Sequence, residues 1–149
     1  MWAGMWLAVG ALTWRWRHTR IYATPLTWIP AVILFVCGML LYRAAGRHFS
    51  GAQLGGQPEL QHAPEQRLIN RGIHGRIRHP VYLGHFCEML GWSVGTGLAV
   101  SYGLTVFALI TGALMVRLED RELGKRFGNE YLEYRRRVPT FIPTLRRPL

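Results

Sequence analysis

The chain has 149 residues, half of them apolar, and carries 18 Lys+Arg against 8 Asp+Glu for a net charge of +10. That length sets one domain as the expectation. The apolar residues lie in blocks with the charges between them, which excludes an evenly mixed soluble core and points the basic excess at an anionic membrane surface rather than nucleic acid.

Lys125 is the single lysine and the other 17 basic residues are arginines, a bias that suggests a GC-rich, bacterial source. Cys37 and Cys87 lie inside apolar runs and read as small buried hydrophobes rather than a disulfide. No Cys or His spacing suggests zinc, haem or another metal.

Residues 1–14 are apolar and are followed by Arg15, Arg17, His18 and Arg20. The basic residues come after the apolar run, the reverse of a signal peptide, so a short first membrane helix is expected. Residues 26–42 carry no charge and have Trp28 and Tyr42 near their ends, as a membrane span with interfacial aromatics does. Residues 46–71 are polar and rich in Gly and Pro, and read as a functional loop.

The loop leads into Gly72-Ile73-His74-Gly75-Arg76-Ile77-Arg78-His79-Pro80-Val81-Tyr82. Pro80 suits the first turn of a helix, and the residue before a proline is pushed towards an extended conformation. Arg78 and His79 are thereby held at a helix mouth, beside its free N–H groups and positive dipole end.

Residues 81–100 and 104–116 read as a third and a fourth span, with a tight hairpin at Ser101-Tyr102-Gly103. His85 and Glu88 share a face of the third span, where ionisable groups meet a cavity or a partner. Either Glu88 contacts a substrate or it pairs with His85 between helices.

Residues 117–137 are predicted as one amphipathic helix, its stripe formed by Leu123, Phe127, Tyr131, Tyr134 and Val138. Four residues back from Leu123 is Glu119, expected at the top of the buried stripe. Gly128 is unfavourable inside a helix by about 1 kcal/mol, which suggests close packing or a local break. Pro139 and Pro143 end the element.

The fold class expected is an all-α integral membrane protein, with about four transmembrane helices plus an amphipathic C-terminal helix. It is one domain over 1–149: two N-terminal membrane helices (1–45), a connector (46–79), a helical hairpin (80–117) and a C-terminal helix and tail (118–149). Connector and tail hold 15 of the 18 basic residues if Arg43 is included, so both are assigned to the cytoplasm, although the three arginines of the first loop oppose this mildly. Both polar clusters then lie on one membrane face and can form one site.

Two stretches carry a resemblance. One is Leu68-Ile69-Asn70-Arg71-Gly72-Ile73-His74-Gly75-Arg76-Ile77-Arg78-His79-Pro80-Val81-Tyr82-Leu83-Gly84. The other is Glu119-Asp120-Arg121-Glu122-Leu123, then Phe127-Gly128-Asn129-Glu130-Tyr131-Leu132-Glu133-Tyr134, Arg137-Val138-Pro139 and Ile142-Pro143. Together they resemble the membrane-embedded S-adenosylmethionine methyltransferases of the isoprenylcysteine carboxyl and phospholipid families, over roughly half the chain. Gln66 and His74 depart from the isoprenylcysteine pattern, which tends to have histidine and tyrosine there, and Asp120 stands for the second glutamate of an acidic pair.

The resemblance implies S-adenosyl-L-methionine as cofactor, with S-adenosyl-L-homocysteine as product, in a pocket at the cytoplasmic face. Carried over by position, it implies Gln66, Leu68, Ile69, His74, Arg78, His79, Pro80, Tyr82 and Glu119 as cofactor-binding residues. Arg117 is a candidate for neutralising a carboxylate acceptor. Glu88, His85 or His79 are candidates for taking a proton from a lipid amine. The partners implied are membrane lipids and a lipophilic methyl acceptor, with no nucleic acid and a monomeric protein in a bacterial inner membrane. Competing readings are a phosphatidylethanolamine N-methyltransferase, an NADPH-dependent sterol-type reductase, which shares the Arg-His-Pro-x-Tyr-x-Gly element, and a non-catalytic membrane scaffold.

Overall fold

A computed structural model describes residues 10–11, 13–47 and 68–142. Most of the expected first span, most of the connector including Gln66, and the tail from Pro143 lie outside the described residues. The main elements are four helices: α1 (Trp28–Gly46), α2 (Pro80–Thr96), α3 (Ala99–Phe127) and α4 (Asn129–Arg137). Short 3-10 turns lie at Trp14–Trp16, Pro25–Thr27 and Gly72–Gly75.

Among the described residues two stretches are long and apolar enough to cross a membrane, Pro25–Gly46 and Ala99–Phe127, and their apolar windows are only 11% and 17% buried. A helix in a soluble core is mostly covered. Here Val32, Val36 and Leu40 on α1 and Val106, Ile110 and Leu114 on α3 stay exposed, a large apolar surface that water does not favour. Of the four spans expected, α1 and α3 meet the length, and α2, with 17 residues, reaches about 25 Å against a hydrocarbon core of about 30 Å.

The hairpin lies earlier than Ser101-Tyr102-Gly103. Gly97 ends α2 at φ +64°, a left-handed conformation that glycine adopts without steric cost, and α3 starts two residues later. The turn is strapped to the segment before α1: the Ile21 N–H donates to the Gly97 carbonyl (2.8 Å) and the Ala99 N–H to the Thr19 carbonyl (2.9 Å). Ser101, Tyr102 and Gly103 are helical.

α1 and α2 run antiparallel and pack closely. Ala31, Gly38 and Ala45 are buried at seven-residue intervals along α1, facing Gly84 and Gly91 on α2. A Cβ added at Gly38 would lie 2.9 Å from Glu88 Cγ, and one at Gly84 would lie 3.0 Å from the Tyr42 ring. Small residues let the backbones approach, and dispersion contacts then hold the pair where lipid supplies no hydrophobic drive. Cys37 is exposed on α1 rather than buried, because it precedes Gly38 and points away from this seam; both cysteines are free.

The C-terminal helix is not one piece. α3 runs unbroken from the hairpin to Phe127, and Gly128 at φ +56°, ψ −129° ends it before α4 begins. The break folds α4 back, so that Tyr131, Tyr134 and Val138 form a small buried core with Leu68, Leu123 and Phe127 around it. The predicted stripe does come together, but from two helices.

Gly84→Leu should force α1 and α2 apart and lower stability by about 1–3 kcal/mol, the usual cost of overpacking. Val36→Leu, on the exposed face of α1, should change little. Thermal unfolding in detergent micelles checks both.

Candidate functional site

The Arg-His-Pro stretch, the end of α3 and the residues after α4 meet at one end of the α1–α2 pair. Pro80 is the first residue of α2, and His79 before it is non-helical at φ −121°, ψ 60°, as the bond to proline dictates. The Arg78 N–H donates to the Pro139 carbonyl (2.9 Å) and the His79 N–H to the Thr140 carbonyl (3.2 Å). The segment after α4 is thereby laid along the mouth of α2.

Side chains tighten the same junction. Arg78 Nη1 donates to both carboxylate oxygens of Asp120 at 2.9 and 2.8 Å, Nε to the Val138 carbonyl at 2.9 Å, and Nη2 to Thr140 Oγ1 at 2.8 Å. The Tyr131 hydroxyl donates to Asp120 and accepts from Arg78 Nη1 (3.3 Å). The Arg78 and Asp120 side chains are 8% and 12% exposed. A guanidinium has five N–H donors in all, so Arg78 is largely committed within the protein.

His79 is buried between two acids, with Nε2 2.8 Å from Asp120 and Nδ1 3.5 Å from Glu119. Burial pulls its pKa down, but the hydrogen bonds to Glu119 and Asp120 outweigh burial and the net shift is upward. Burial, then Asp120, push the Tyr131 hydroxyl pKa up, and burial pushes that of Tyr134 up to about 12. Both phenols are neutral donors near neutral pH, and Tyr134 donates to the His74 carbonyl at 2.7 Å.

Glu119 is not the buried acid of the stripe. Its side chain is 46% exposed, whereas Asp120 lies inside. A helix repeats every 3.6 residues, so the step back from Leu123 can be three as well as four. The inward positions of α3 are Val116, Asp120, Leu123 and Phe127. Glu119 sits at the rim, against His79, with Tyr82 beside them: the His79 and Tyr82 ring centroids are 5.8 Å apart.

The other site candidates are spread around this junction. Leu68 packs on the Tyr131–Tyr134–Val138 core, Ile69 is half-buried, and His74 is buried in the Gly72–Gly75 turn. Arg117 is exposed on α3. Glu88 lies elsewhere, on the face of α2 that meets α1. There the Tyr42 hydroxyl bonds both His85 Nδ1 and Glu88 Oε2, the latter at 3.2 Å. Tyr42 is therefore turned into the helix pair, not out to the interface as its place near a span end suggests. Among the described residues no group of acids, His and Cys is arranged to hold a metal.

Sequence reasoning missed Asp120, Thr140 and Tyr42 as partners in these clusters. Asp120 was within reach, since Val116, Asp120 and Leu123 also fit a helix stripe. The pairings of Thr140 with Arg78 and of Tyr42 with His85 cross 62 and 43 positions, and no local pattern announces them.

No family model matches the chain. It is 31% identical over 132 residues to the human protein-S-isoprenylcysteine O-methyltransferase, covering 81% of this chain and 43% of that protein. The enzyme of the same name from Saccharomyces cerevisiae is 27% identical over 126 residues, 81% of this chain and 51% of the relative. Both of these relatives carry the name protein-S-isoprenylcysteine O-methyltransferase, and each similarity runs over about four fifths of this chain. The nickel-cobalt-cadmium resistance protein NccN of Alcaligenes xylosoxydans is 34% identical over 124 residues, 80% of this chain and 54% of that protein. The chain spans about half the length of the curated relatives it matches.

The Arg78–Asp120 pair is expected to be structural. Asp120→Asn leaves a buried guanidinium without its counter-charge and should lower stability by about 3 kcal/mol or more. Glu122→Gln, which breaks an exposed pair with Arg126, should cost less than about 1 kcal/mol. Chemical unfolding of the two variants checks the contrast.

The raised pKa of His79 sets a pH dependence. A cation favoured by folding contributes fully below its unfolded pKa of about 6.5, and the contribution is lost as pH rises through the higher folded value. The melting temperature should fall as pH rises out of that window, and His79→Gln should flatten that part of the profile.

Proposed function

We propose that the protein is an integral membrane methyltransferase that uses S-adenosyl-L-methionine and acts on a lipophilic acceptor, in the manner of isoprenylcysteine carboxyl methyltransferases. The observation that carries this reading is the junction of the α2 mouth with the end of α3, which leaves one half-exposed carboxylate, Glu119, beside His79 and Tyr82. When bound, the cofactor supplies a methyl group on a cationic sulfur for in-line displacement by a nucleophile and leaves as S-adenosyl-L-homocysteine.

The donor set suits that group. Glu119 stands against His79 at 3.5 Å and beside Tyr82 but is 46% exposed, so its outward lone pairs can accept from an ammonium or from ribose hydroxyls. His79, held between Glu119 and Asp120, fixes the rim on which Glu119 stands. Tyr82, Leu68 and Ile69 offer apolar and aromatic surface, Pro80 is fully buried and serves by starting α2, and Gln66 and His74 belong to the same approach segment. Arg78 serves the site by holding it together, since its donors are already used. Alignment of the reactants supplies much of the rate in such a transfer. A carboxylate acceptor needs charge neutralisation, for which exposed Arg117 is available.

One observation favours a second acceptor class, a phospholipid amine such as phosphatidylethanolamine. An amine must lose a proton before it attacks, and Glu88 lies near membrane depth with Tyr42 and His85 as its relay partners. The protein is assigned to a bacterial inner membrane as a monomer, its site facing the cytoplasm.

S-adenosyl-L-homocysteine should stabilise the detergent-solubilised protein, by about 2.7 kcal/mol at a hundredfold excess over its dissociation constant, and NADPH should not. Glu119→Gln should weaken that binding by about 1.5–3 kcal/mol, the range for a charge-assisted hydrogen bond, without loss of fold. Stabilisation by NADPH instead would make the protein a reductase, and no response to either a scaffold.

A further inference from the structure

The opposite end of the molecule holds a second built feature. A cavity of about 350 Å³ lies between the start of α1 and the end of α2, lined by Arg20, Thr24, Trp28, Gly95 and Thr96 among others. The candidate methyltransferase site is at the Pro80 end of α2, so the two lie at opposite ends of the same helix.

The frame around this cavity is fixed. Arg20 is bridged backbone to backbone with Leu98, and the bonds of Ile21 to Gly97 and of Ala99 to Thr19 flank it. Tyr22 locks the strap from the other side, its hydroxyl donating to the Val94 carbonyl at 2.9 Å and meeting the Tyr102 hydroxyl. Trp28 forms a wall, held edge-on to Trp92 with centroids 6.4 Å apart. Gly95 makes room for that wall, since a Cβ there would lie 2.8 Å from the Trp28 ring.

The charge at this end is unbalanced. Arg15, Arg17 and Arg20 lie here, and no Asp or Glu occurs before Glu59 or between Glu88 and Glu119. Arg17 is occupied, stacked 3.9 Å over the Trp14 ring and bonded to the Trp14 carbonyl. The Arg20 guanidinium is exposed, and among the described residues no carboxylate faces it. An arginine with its backbone held in place, at the rim of a mostly apolar cavity and beside tryptophans that favour the membrane interface, suits an anion carried on an apolar body. We propose that this cavity binds the phosphate of an anionic phospholipid, with Arg20 on the phosphate and the acyl chain leaving along Trp28 and Trp92.

The experiment is native mass spectrometry of the full-length protein in detergent, titrated with phosphatidylglycerol. The parent should retain one tightly bound lipid. Arg20→Gln should weaken that binding about tenfold or more, as loss of a charge-assisted hydrogen bond does. Ala23→Trp, which fills the cavity and keeps the charge, should do the same. Arg15→Gln should stay within about twofold, because the field of the basic loop is not the site. Helix content by circular dichroism, unchanged in every variant, shows that folding is intact, and S-adenosyl-L-homocysteine binding reads the other end separately. The proposal is overturned if Arg20→Gln and Ala23→Trp bind lipid like the parent, if Arg15→Gln costs as much as Arg20→Gln, or if inorganic phosphate displaces the lipid at equal concentration.

Discussion

The ion pair of Arg78 with Asp120 is the contact on which the candidate site depends. It joins a residue just before α2 to one near the end of α3, 42 positions apart, and both are almost covered. Two charges are not taken from water cheaply, and the pair is tolerable because nearly every remaining donor and acceptor is used: Val138, Thr140, Tyr131 and His79 supply the rest. Such a network gives a defined geometry more than it gives net stability. What it defines is the position of Glu119, one residue from Asp120 and turned outward by the helix.

The membrane part of the molecule solves a different problem. α1 and α2 present small residues to each other and large apolar residues to their surroundings, the inverse of a soluble helix pair. Into that tight seam the chain places Tyr42, His85 and Glu88, which satisfy one another. An ionisable cluster near membrane depth is costly unless it is paired or used. It lies about 9–13 Å along α2 from the Arg-His-Pro mouth, at about 1.5 Å per residue.

The two ends of the α1–α2 pair differ in chemistry as well as in position. At one end cations and acids are interleaved, and the cations neutralise the acids inside the protein. At the other, arginines and tryptophans stand without acids. The first end is the one proposed to hold the cofactor, and the second the one proposed to hold a lipid. The strap from Thr19 to Ile21 is what makes the second end a cavity rather than a loose loop.

Much of this was written in the sequence. The uncharged runs, the proline that starts α2, and the stripe through Leu123, Phe127, Tyr131, Tyr134 and Val138 are local patterns, and local sterics and periodicity decide them. At Gly128 the sequence left a local break and close packing open, and for Gly97 it gave no role: Gly97 turns the chain and Gly128 breaks it, each at a positive φ that tertiary packing selects. Which acid lies inside was also undecided, because a 3.6-residue repeat lets Glu119 and Asp120 compete, and only the folding back of α4 to bring Tyr131 onto Asp120 resolves it. The Arg20 cavity and the Tyr42 cluster belong wholly to the tertiary structure. Each is made by residues from distant segments that meet only when α1 and α2 pack, and no spacing along one helix encodes a contact between two.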